Sequence, residues 1–514
     1  MSNQLRQSSI PPSWPLCGGV TTPHPNTLEC RLSIPWPVPM DIKVDVLTLT
    51  AVRLQRLLEA KVITSVDVVK LYLAQIRKHN HAGLHLNAKI SVADHDSLLA
   101  RAHELDHECS QGKVRGPFHG IPIILKDLCN TVDLPTTCRL YAFKQGRPKK
   151  DANLINTLKE AGLIILAKVN LSELGNAKGS GLMAGWSAVG GQVRSQQAPL
   201  NAFFADQYHQ TQSAYIEGGV GPAGSSSGSA VSVVAGFAPL SLGTELDGSI
   251  MMPAARAGVY AVKLTPESVD NDGSQPGAPG WDSQGPYAKM VTDIATLSAI
   301  LQLHDPGYYQ PLNTSWNGLK VGFVDPSLWR SYPTAIEPDI TGAMPDFSQM
   351  EELFRMLIGL SDRRFPKFLQ LFKGVPQTLE ELIKFNEHHA DLEFTERDNN
   401  QKGLEAGRDT TITEEQYDRN FKSLRDAASH SLLSLMEEYG VDVLLGPFGN
   451  LPLGFADFNG RPFSLHAIAP ANEEAKIFQV MSAWEASFPD NVHPPPLLVD
   501  DAFPVQQIVM RGVN

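Results

Sequence analysis

The stretch Gly221-Pro-Ala-Gly-Ser-Ser-Ser-Gly-Ser-Ala230 sets four serines within five positions, among glycines. Flexible Gly/Ser linkers are long and flanked by polar sequence. Here the apolar segment Ala230-Val-Ser-Val-Val-Ala-Gly-Phe237 follows at once. A phosphate-binding loop of the G-x-x-x-x-G-K-[ST] type needs a lysine, and none follows Gly228. The stretch therefore predicts a loop that opens a buried helix.

The same stretch contains a second pattern, because Gly224–Gly228 matches the G-x-S-x-G of a nucleophile elbow with Ser226 as nucleophile. Such an elbow follows a central strand. The preceding Tyr215-Ile-Glu-Gly-Gly-Val-Gly-Pro-Ala223 has too much glycine and proline for a strand of that kind. An α/β-hydrolase with Ser226 as nucleophile stays open as an alternative at this point.

Strand and helix patterns alternate along the rest of the chain. Helical spacing and capping residues predict helices that start near Thr50, start at the Thr64-Ser65 cap, cover 92–109, and run from an Asp151 cap to Ala161. Apolar runs predict buried strands at Ile121–Leu125, Leu163–Val169 and Val441–Leu445. Residues 347–440 are rich in helical pattern. Strands that alternate with helices predict an α/β fold.

Composition excludes several classes of function. The chain has 514 residues, 42% of them hydrophobic and 19% charged, which is typical of a globular protein. A net charge of −12 leaves no basic surplus for a nucleic-acid or anionic-membrane partner. No signal peptide is visible at the start, and no run of about 18 apolar residues predicts a membrane span. Five scattered cysteines without a C-x-x-C pair indicate a reducing compartment, so we expect a cytoplasmic protein.

His103-Glu-Leu-Asp-His107 matches the H-E-x-x-H pattern of zinc proteases, which would place two histidines on one helix face. The surrounding residues are polar, and no third ligand is apparent. An exposed, charged helix is the favoured interpretation, and no metal is expected.

Three segments together resemble the amidase signature family of serine amidohydrolases, in particular its fungal and plant members. They are Gly116-Pro-Phe-His-Gly-Ile-Pro-Ile-Ile-Leu-Lys-Asp127, Gly224-Ser-Ser-Ser-Gly-Ser-Ala230, and Gly243-Thr-Glu-Leu-Asp-Gly-Ser-Ile250 with Pro253-Ala-Ala. Asn170-Leu-Ser-Glu173 and Asp282-Ser-Gln-Gly-Pro286 are also similar to family segments. The resemblance runs from about residue 45 to about residue 490. It implies an α/β fold with a single large mixed β-sheet flanked by helices.

The resemblance also implies a division of the chain. Residues 1–44, which are rich in proline and show no period, are expected to form an extended N-terminal arm. Residues 45–514 would form the amidase signature domain. Within it, the signature core covers about 90–300 and a helix-rich variable part covers about 340–440.

The matching motifs assign the family's site residues to positions of this sequence. The family's Ser–cis-Ser–Lys triad implies Lys126 as the base, Ser225 as the bridging serine at a cis peptide, and Ser249 as the nucleophile. Its oxyanion hole implies the backbone N–H groups of Leu246, Asp247, Gly248 and Ser249, with Ser226 as a supporting hydrogen-bond partner. No metal or cofactor is implied.

The chemistry of such a triad requires a neutral lysine, because only the free amine can take the serine proton. At a pKa of about 10.4, roughly one lysine in a thousand is neutral at pH 7. Burial beside Ile121–Leu125 would lower the pKa of Lys126, and Asp127 would point to the opposite face of the strand. The expected reaction is hydrolysis of a linear carboxylic amide, other than a peptide bond, through an acyl-enzyme on Ser249. The expected partner is a small-molecule amide.

The sequence departs from the family pattern at several points. Met251 stands where many members have arginine, and Glu245-Leu-Asp-Gly-Ser249 replaces the commoner Asp-x-Gly-Gly-Ser. Residues 193–210 resemble an insertion, and the chain looks shortened after 360 and at 450. These changes indicate either a diverged substrate pocket or a gene-model error. Two alternative functions stay open: a catalytically impaired amidase-like protein and an acyl-transfer enzyme of the amidotransferase type. For the oligomeric state, a homodimer stays open.

Overall fold

The computed structural model describes residues 5–6, 41–195, 221–278, 280–302, 312–324, 364–396, 398–456, 462–489 and 507–511. The helices are α1 Ala51–Glu59, α2 Ser65–His79, α3 His95–Ser110, α4 Asn153–Glu160, α5 Ser227–Val234, α6 Met251–Ala257, α7 Val291–Leu301, α8 Leu379–His388, α9 Ala390–Glu393, α10 Lys402–Asp409, α11 Glu414–Tyr439 and α12 Glu474–Ser487. The strands are β1 Leu5–Arg6, β2 Asp41–Asp45, β3 Lys89–Val92, β4 Pro122–Lys126, β5 Arg147–Pro148, β6 Ile164–Val169, β7 Leu240–Glu245, β8 Tyr260–Ala261, β9 Ser283–Ala288, β10 Val321–Val324, β11 Phe372–Lys373, β12 Val443–Ala456, β13 Pro462–Ile468 and β14 Gln507–Arg511.

A six-stranded mixed sheet forms the centre of the molecule, with strand order β3-β6-β4-β7-β9-β8. Strand β4 runs parallel to both β6 and β7, whereas β3, β9 and β8 pair antiparallel with their neighbours. All five residues of β4 are buried, which explains its continuous apolar sequence. The carboxyl ends of the parallel strands β4 and β7 meet at one edge of the sheet, where functional side chains commonly gather.

A second sheet of four strands has the order β1-β10-β12-β13. The long strand β12 includes residue 450 and pairs antiparallel with β13, with register shifts between Pro447 and Leu451 and between Pro452 and Ala456. The expected α/β class with a large mixed sheet flanked by helices is confirmed, and this four-stranded sheet adds to it. Leu5–Arg6 of the expected N-terminal arm pair with β10, while residues 7–40 of the arm lie outside the described residues, as do 196–210 of the expected insertion.

The predicted helix starts are confirmed at two positions and wrong at a third. Thr50 caps α1, and Thr64 caps α2 in a capping box with Asp67. Asp151 does not cap α4, whose first flanking residue is Ala152. The Asp151 carboxylate instead accepts hydrogen bonds from Val132 N and Lys159 Nζ, both at 2.7 Å. These hydrogen bonds occupy the Asp151 carboxylate, so it does not cap the N-terminus of α4.

The serine-rich stretch is buried, so it is not a linker. Its hydroxyls bind the backbone of the adjacent strand β7: Ser226 Oγ donates to Thr244 O at 3.1 Å, and Ser229 Oγ donates to Leu242 O at 2.8 Å. Small polar side chains allow α5 to lie close to the sheet while still supplying hydrogen-bond donors. The stretch thus fixes α5 against the centre of the fold.

Gly228 lies where a side chain has no room. A Cβ added there would lie 2.4 Å from Asn170 O and 2.6 Å from Ala88 O, both of them backbone atoms that cannot rotate away. The Gly228 N–H also donates to Asn170 O at 2.9 Å. This close approach locks the start of α5 onto the end of β6.

We therefore predict that Gly228→Ala destabilises the protein by about 1–3 kcal/mol or more, because the new methyl overpacks two backbone segments. Helix propensity alone predicts the opposite sign, since alanine is favoured over glycine inside a helix. Urea unfolding measures the change. Gly112→Ala is the control, because no atom lies within 4 Å of its added Cβ and only the positive φ resists the change. A stabilised Gly228→Ala protein would contradict the packing argument.

No helix in the described ranges is long and apolar enough to cross a membrane.

Candidate active site

Lys126 ends strand β4 and is completely buried. Its Nζ lies 2.8 Å from Ser225 Oγ, 2.8 Å from Thr244 Oγ1 and 3.1 Å from Thr244 O. Thr244 belongs to β7, the parallel neighbour of β4, so the pairing of the two strands brings these groups together. Burial lowers the pKa of Lys126 from its ordinary 10.5 to about 7, with only partial opposition from the negative charge of Glu245.

Asp127, the next residue, faces a different environment, as expected from its position beside Lys126. Its buried carboxylate accepts a hydrogen bond from Thr137 N at 3.0 Å and lies 3.4 Å from Lys168 Nζ. The carboxylate is therefore neutralised by a different lysine. Lys126 is left among hydroxyl and carbonyl groups, where burial can act on its pKa.

Ser225 and Ser226 stand at the end of the buried loop that precedes α5. The peptide bond between Gly224 and Ser225 is cis, in agreement with the cis peptide that the resemblance implies there. Ser225 O accepts a hydrogen bond from Ser172 N at 3.1 Å, so the segment Asn170–Glu173 supports the loop from one side. Ser226 supports it from the other side through Thr244, whose N–H lies 3.3 Å from Ser226 Oγ.

Ser249 lies in a turn between β7 and α6 and is almost completely buried. Glu245, the last residue of β7, spans this turn. Its Oε2 accepts hydrogen bonds from Ile250 N at 2.6 Å and Met251 N at 2.9 Å. Gly248 has a φ of 96°, a left-handed conformation that glycine tolerates and other residues resist. The carboxylate and the glycine together shape the turn around Ser249.

The Ser249 carbonyl ties the turn to the serine loop. It accepts from Ser226 N at 3.1 Å and lies 3.4 Å from Tyr287 Oη, which donates to Ile250 O at 2.9 Å. Tyr287 belongs to β9 and directly follows the family-like segment Asp282–Pro286. Ser249 and the serine loop are thus neighbours, fixed by backbone contacts across three elements.

Three of the four backbone N–H groups from Leu246 to Ser249 have no acceptor among the described residues. In the part of the chain that the structure describes, Leu246 N, Gly248 N and Ser249 N make no hydrogen bond. Asp247 N interacts with the residue's own exposed carboxylate. Because buried or partly buried N–H groups are normally paired, such a series beside a serine is suited to receive an oxyanion.

The expected site residues therefore lie together at one edge of the sheet, but a hydrogen bond between Ser225 and Ser249 Oγ is not among the contacts of the described residues. Lys126 and Ser225 are hydrogen bonded, whereas Ser249 Oγ makes no hydrogen bond to any residue in the described ranges. Sequence reasoning did not identify Thr244 as a partner of Lys126. It noted Glu245 only as a departure from the family pattern, and the capacity of a carboxylate to span a tight turn was the signal available there.

The two other site hypotheses find no support in the geometry. Ser226 is fully buried, its hydroxyl is bound to Thr244, and Gly221–Ala223 before it form no strand, so it lacks the setting of a nucleophile elbow. His103 and His107 are exposed on α3. Across the described residues, no group of three His, Cys, Asp or Glu side chains is arranged to hold a metal ion.

The chain belongs to the amidase family, whose model matches residues 67–466. It is similar to solved amidase structures, among them native peptide amidase from Stenotrophomonas maltophilia, with a TM-score of 0.73 and 26% identity. That likeness covers 88% of this chain and 99% of the other. The recognition of the family from its motifs is confirmed.

Curated relatives from several kingdoms match as well. A putative amidase of Schizosaccharomyces pombe is 32% identical over 60% of this chain and 52% of its own length. A glutamyl-tRNA(Gln) amidotransferase component from Acidothermus cellulolyticus is 31% identical over 51% of this chain and 46% of its own length. A probable amidase of Arabidopsis thaliana is 27% identical over 83% of this chain and 87% of its own length. The chain thus spans about half the length of the first two relatives.

The buried amine should make the stability of the protein depend on pH. Between pH 7 and 10.5 the unfolded chain binds a proton at Lys126 that the folded protein does not, so its free energy of unfolding rises with pH. Relative to Lys126→Met, we predict a rise of about 1.4 kcal/mol per pH unit over this range and no difference in slope below pH 7. Urea titrations between pH 6 and 9 measure it.

The exposed Lys113→Met variant serves as the control, since that side chain lies in solvent in both states. A flat difference between wild type and Lys126→Met across pH 7–9 would show that the amine keeps its ordinary pKa in the folded protein.

Proposed function

We propose that this protein hydrolyses carboxylic amides through an acyl-enzyme on Ser249, with Lys126 as base and Ser225 as the bridging serine. The observation that carries the proposal is the contact of the buried Lys126 amine with Ser225 Oγ at 2.8 Å, in an environment that lowers the lysine pKa to about 7. A lysine with this pKa is neutral in about half of the molecules at pH 7. Catalytic bases are tuned in this way.

The hydrogen-bond partners of Lys126 can accommodate the neutral amine that a base requires. A neutral amine has two N–H donors and one lone pair, whereas an ammonium has three donors and no acceptor. Thr244 O can only accept, so it takes one N–H, and Thr244 Oγ1 can accept the second. The lone pair is then left for the hydroxyl proton of Ser225. All three contacts of the amine are satisfied without a positive charge.

The reaction proceeds in two steps. Ser249 Oγ attacks the amide carbonyl, its proton passes through Ser225 Oγ to Lys126 Nζ, and a proton returned along the same path lets the amine or ammonia leave. Water then attacks the acyl-enzyme with the same base and releases the carboxylic acid. The N–H groups of Leu246, Gly248 and Ser249, together with that of Asp247 once its own carboxylate turns away, receive the developing oxyanion.

The likeness to a peptide amidase supports amides as the substrate class. Linear amides other than peptide bonds are the expected subclass, and a panel of aryl, fatty, short aliphatic and peptide amides would define it. The cytoplasmic location, the fungal or plant origin, the homodimer and the domain boundaries expected from the sequence stay predictions.

A second candidate is acyl transfer, because a curated relative is a component of an amidotransferase. The same serine machinery serves an amidotransferase that passes the acyl group, or the ammonia it releases, to a further acceptor. Ammonia release from a simple amide by the chain alone, without a second protein, separates hydrolysis from this alternative. A catalytically impaired protein is separated by its failure to react with a covalent serine probe.

We predict that a fluorophosphonate probe labels the folded protein at Ser249, because the probe needs an activated serine. Mass spectrometry of the digested protein locates the modified residue. Ser249→Ala should abolish labelling, while Ser232→Ala, a buried serine within α5, should preserve it. Labelling at Ser226, or none in the folded protein, would overturn the proposal.

We also predict that the labelling rate rises with pH through about pH 7, since only the neutral form of Lys126 accepts the proton. Lys126→Ala should lower the rate near neutral pH at least 100-fold, as the removal of a general base typically does. Stopped-time labelling between pH 5 and 9 gives the profile. Wild-type rates in the alanine variant would exclude Lys126 as the base.

A further inference from the structure

A second lysine, Lys263, binds the backbone of the turn that contains Ser249. Lys263 Nζ donates a hydrogen bond to Leu246 O at 2.6 Å. Lys263 follows β8, where Val262 N donates to Pro286 O and Leu264 N donates to Gln284 O, both at 3.3 Å. The backbone on either side of this lysine is therefore fixed to the central sheet, and its ammonium is held against the turn.

The atom that Lys263 binds belongs to the peptide unit of a proposed oxyanion donor. The carbonyl of Leu246 and the N–H of Asp247 share one planar peptide and point in opposite directions. An ammonium that holds the carbonyl therefore also aims the N–H. A charged donor on the carbonyl polarises the peptide, which strengthens the N–H as a hydrogen-bond donor.

We infer that Lys263 is a positioning residue for the oxyanion hole, acting through the Leu246–Asp247 peptide. The inference rests on the proposed function, because it assigns a role in the same reaction. It accounts for a feature that the triad leaves unexplained. A half-buried ammonium binds the Leu246 carbonyl at short distance, next to a turn in which the N–H groups of Gly248 and Ser249 make no hydrogen bond to a described residue.

The carboxylates around Lys263 favour the ammonium form that this role needs. Burial has the largest effect and lowers the pKa of Lys263, and the carboxylates of Glu245, Asp247 and Asp282 oppose this shift. His466 of β13 also interacts electrostatically with this lysine. The lysine thus serves as the positive centre of an acidic group around the turn.

Another lysine of the same kind provides a matched control. Lys289 is buried and donates to the backbone carbonyls of Val46 at 2.9 Å and Leu49 at 3.4 Å, before α1 and apart from the Ser249 turn. Lys289→Met removes a buried ammonium from backbone carbonyls, as Lys263→Met does. A purely structural effect should therefore appear in both variants, whereas a catalytic effect should appear only in the variant at the turn.

The test measures the rate of fluorophosphonate labelling at Ser249 per folded molecule. We expect Lys263→Met to lower the rate about 10- to 100-fold, since removal of a whole oxyanion donor costs roughly 100- to 1,000-fold. Lys263→Arg, which keeps a charged donor, should recover most of the rate, and Lys289→Met should label as wild type. With an amide substrate, kcat should fall in Lys263→Met while KM changes by less than about twofold.

The possible results separate the two proposals. Labelling of wild type and Lys263→Met at equal rates would overturn the role of Lys263 and leave the proposed hydrolysis intact. Absence of labelling at Ser249 in wild type would overturn both. If Lys263→Met does not fold, Lys263→Gln replaces it, because the amide retains a donor without the charge; a wild-type rate in that variant would show that the charge contributes nothing.

Discussion

The burial of one amine organises the site. Lys126 is the last residue of β4, a strand without exposed residues, and its amine is hydrogen bonded to Ser225 and Thr244. No carboxylate in the described ranges is hydrogen bonded to it, because Asp127 is bound to Thr137 and lies beside Lys168. Burying a lysine without a counter-ion is unfavourable for its charged form, and this lowers the pKa to about 7. The unfavourable burial of this amine thus leaves it partly neutral near pH 7.

Two charged side chains hold the turn that contains Ser249. Glu245 accepts hydrogen bonds from the N–H groups of Ile250 and Met251, and Lys263 donates a hydrogen bond to the Leu246 carbonyl. Between these points, the N–H groups of Gly248 and Ser249 have no partner among the described residues. A turn held in this way, with N–H donors that are not used by other groups, is pre-organised to bind negative charge. In many acyl-transfer enzymes, such electrostatic stabilisation of the transition state makes the largest single contribution to the rate enhancement.

Glu245 explains how a departure from the common family pattern is accommodated. Where many members carry an aspartate, the longer glutamate side chain reaches over the turn to the first N–H groups of α6. A carboxylate at the start of a helix is also favoured by the helix dipole. Met251, in place of the commoner arginine, is buried in an apolar cluster with Ile250 and Ala254. The changes form a consistent local packing arrangement.

Local pattern in the amino-acid sequence was enough to predict the α/β class, the helix starts at Thr50 and Thr64, the strands around Lys126 and Val169, and the family, because these depend on periodicity, capping and short ordered motifs. It was not enough to predict the contact of Lys126 with Thr244, the contact of Lys263 with Leu246 or the true start of α4. Those depend on contacts between residues far apart in the chain, as between Lys126 and Thr244 or between Asp151 and Val132. Such groups come within hydrogen-bonding distance only once the sheet has folded, so the tertiary structure alone could decide them.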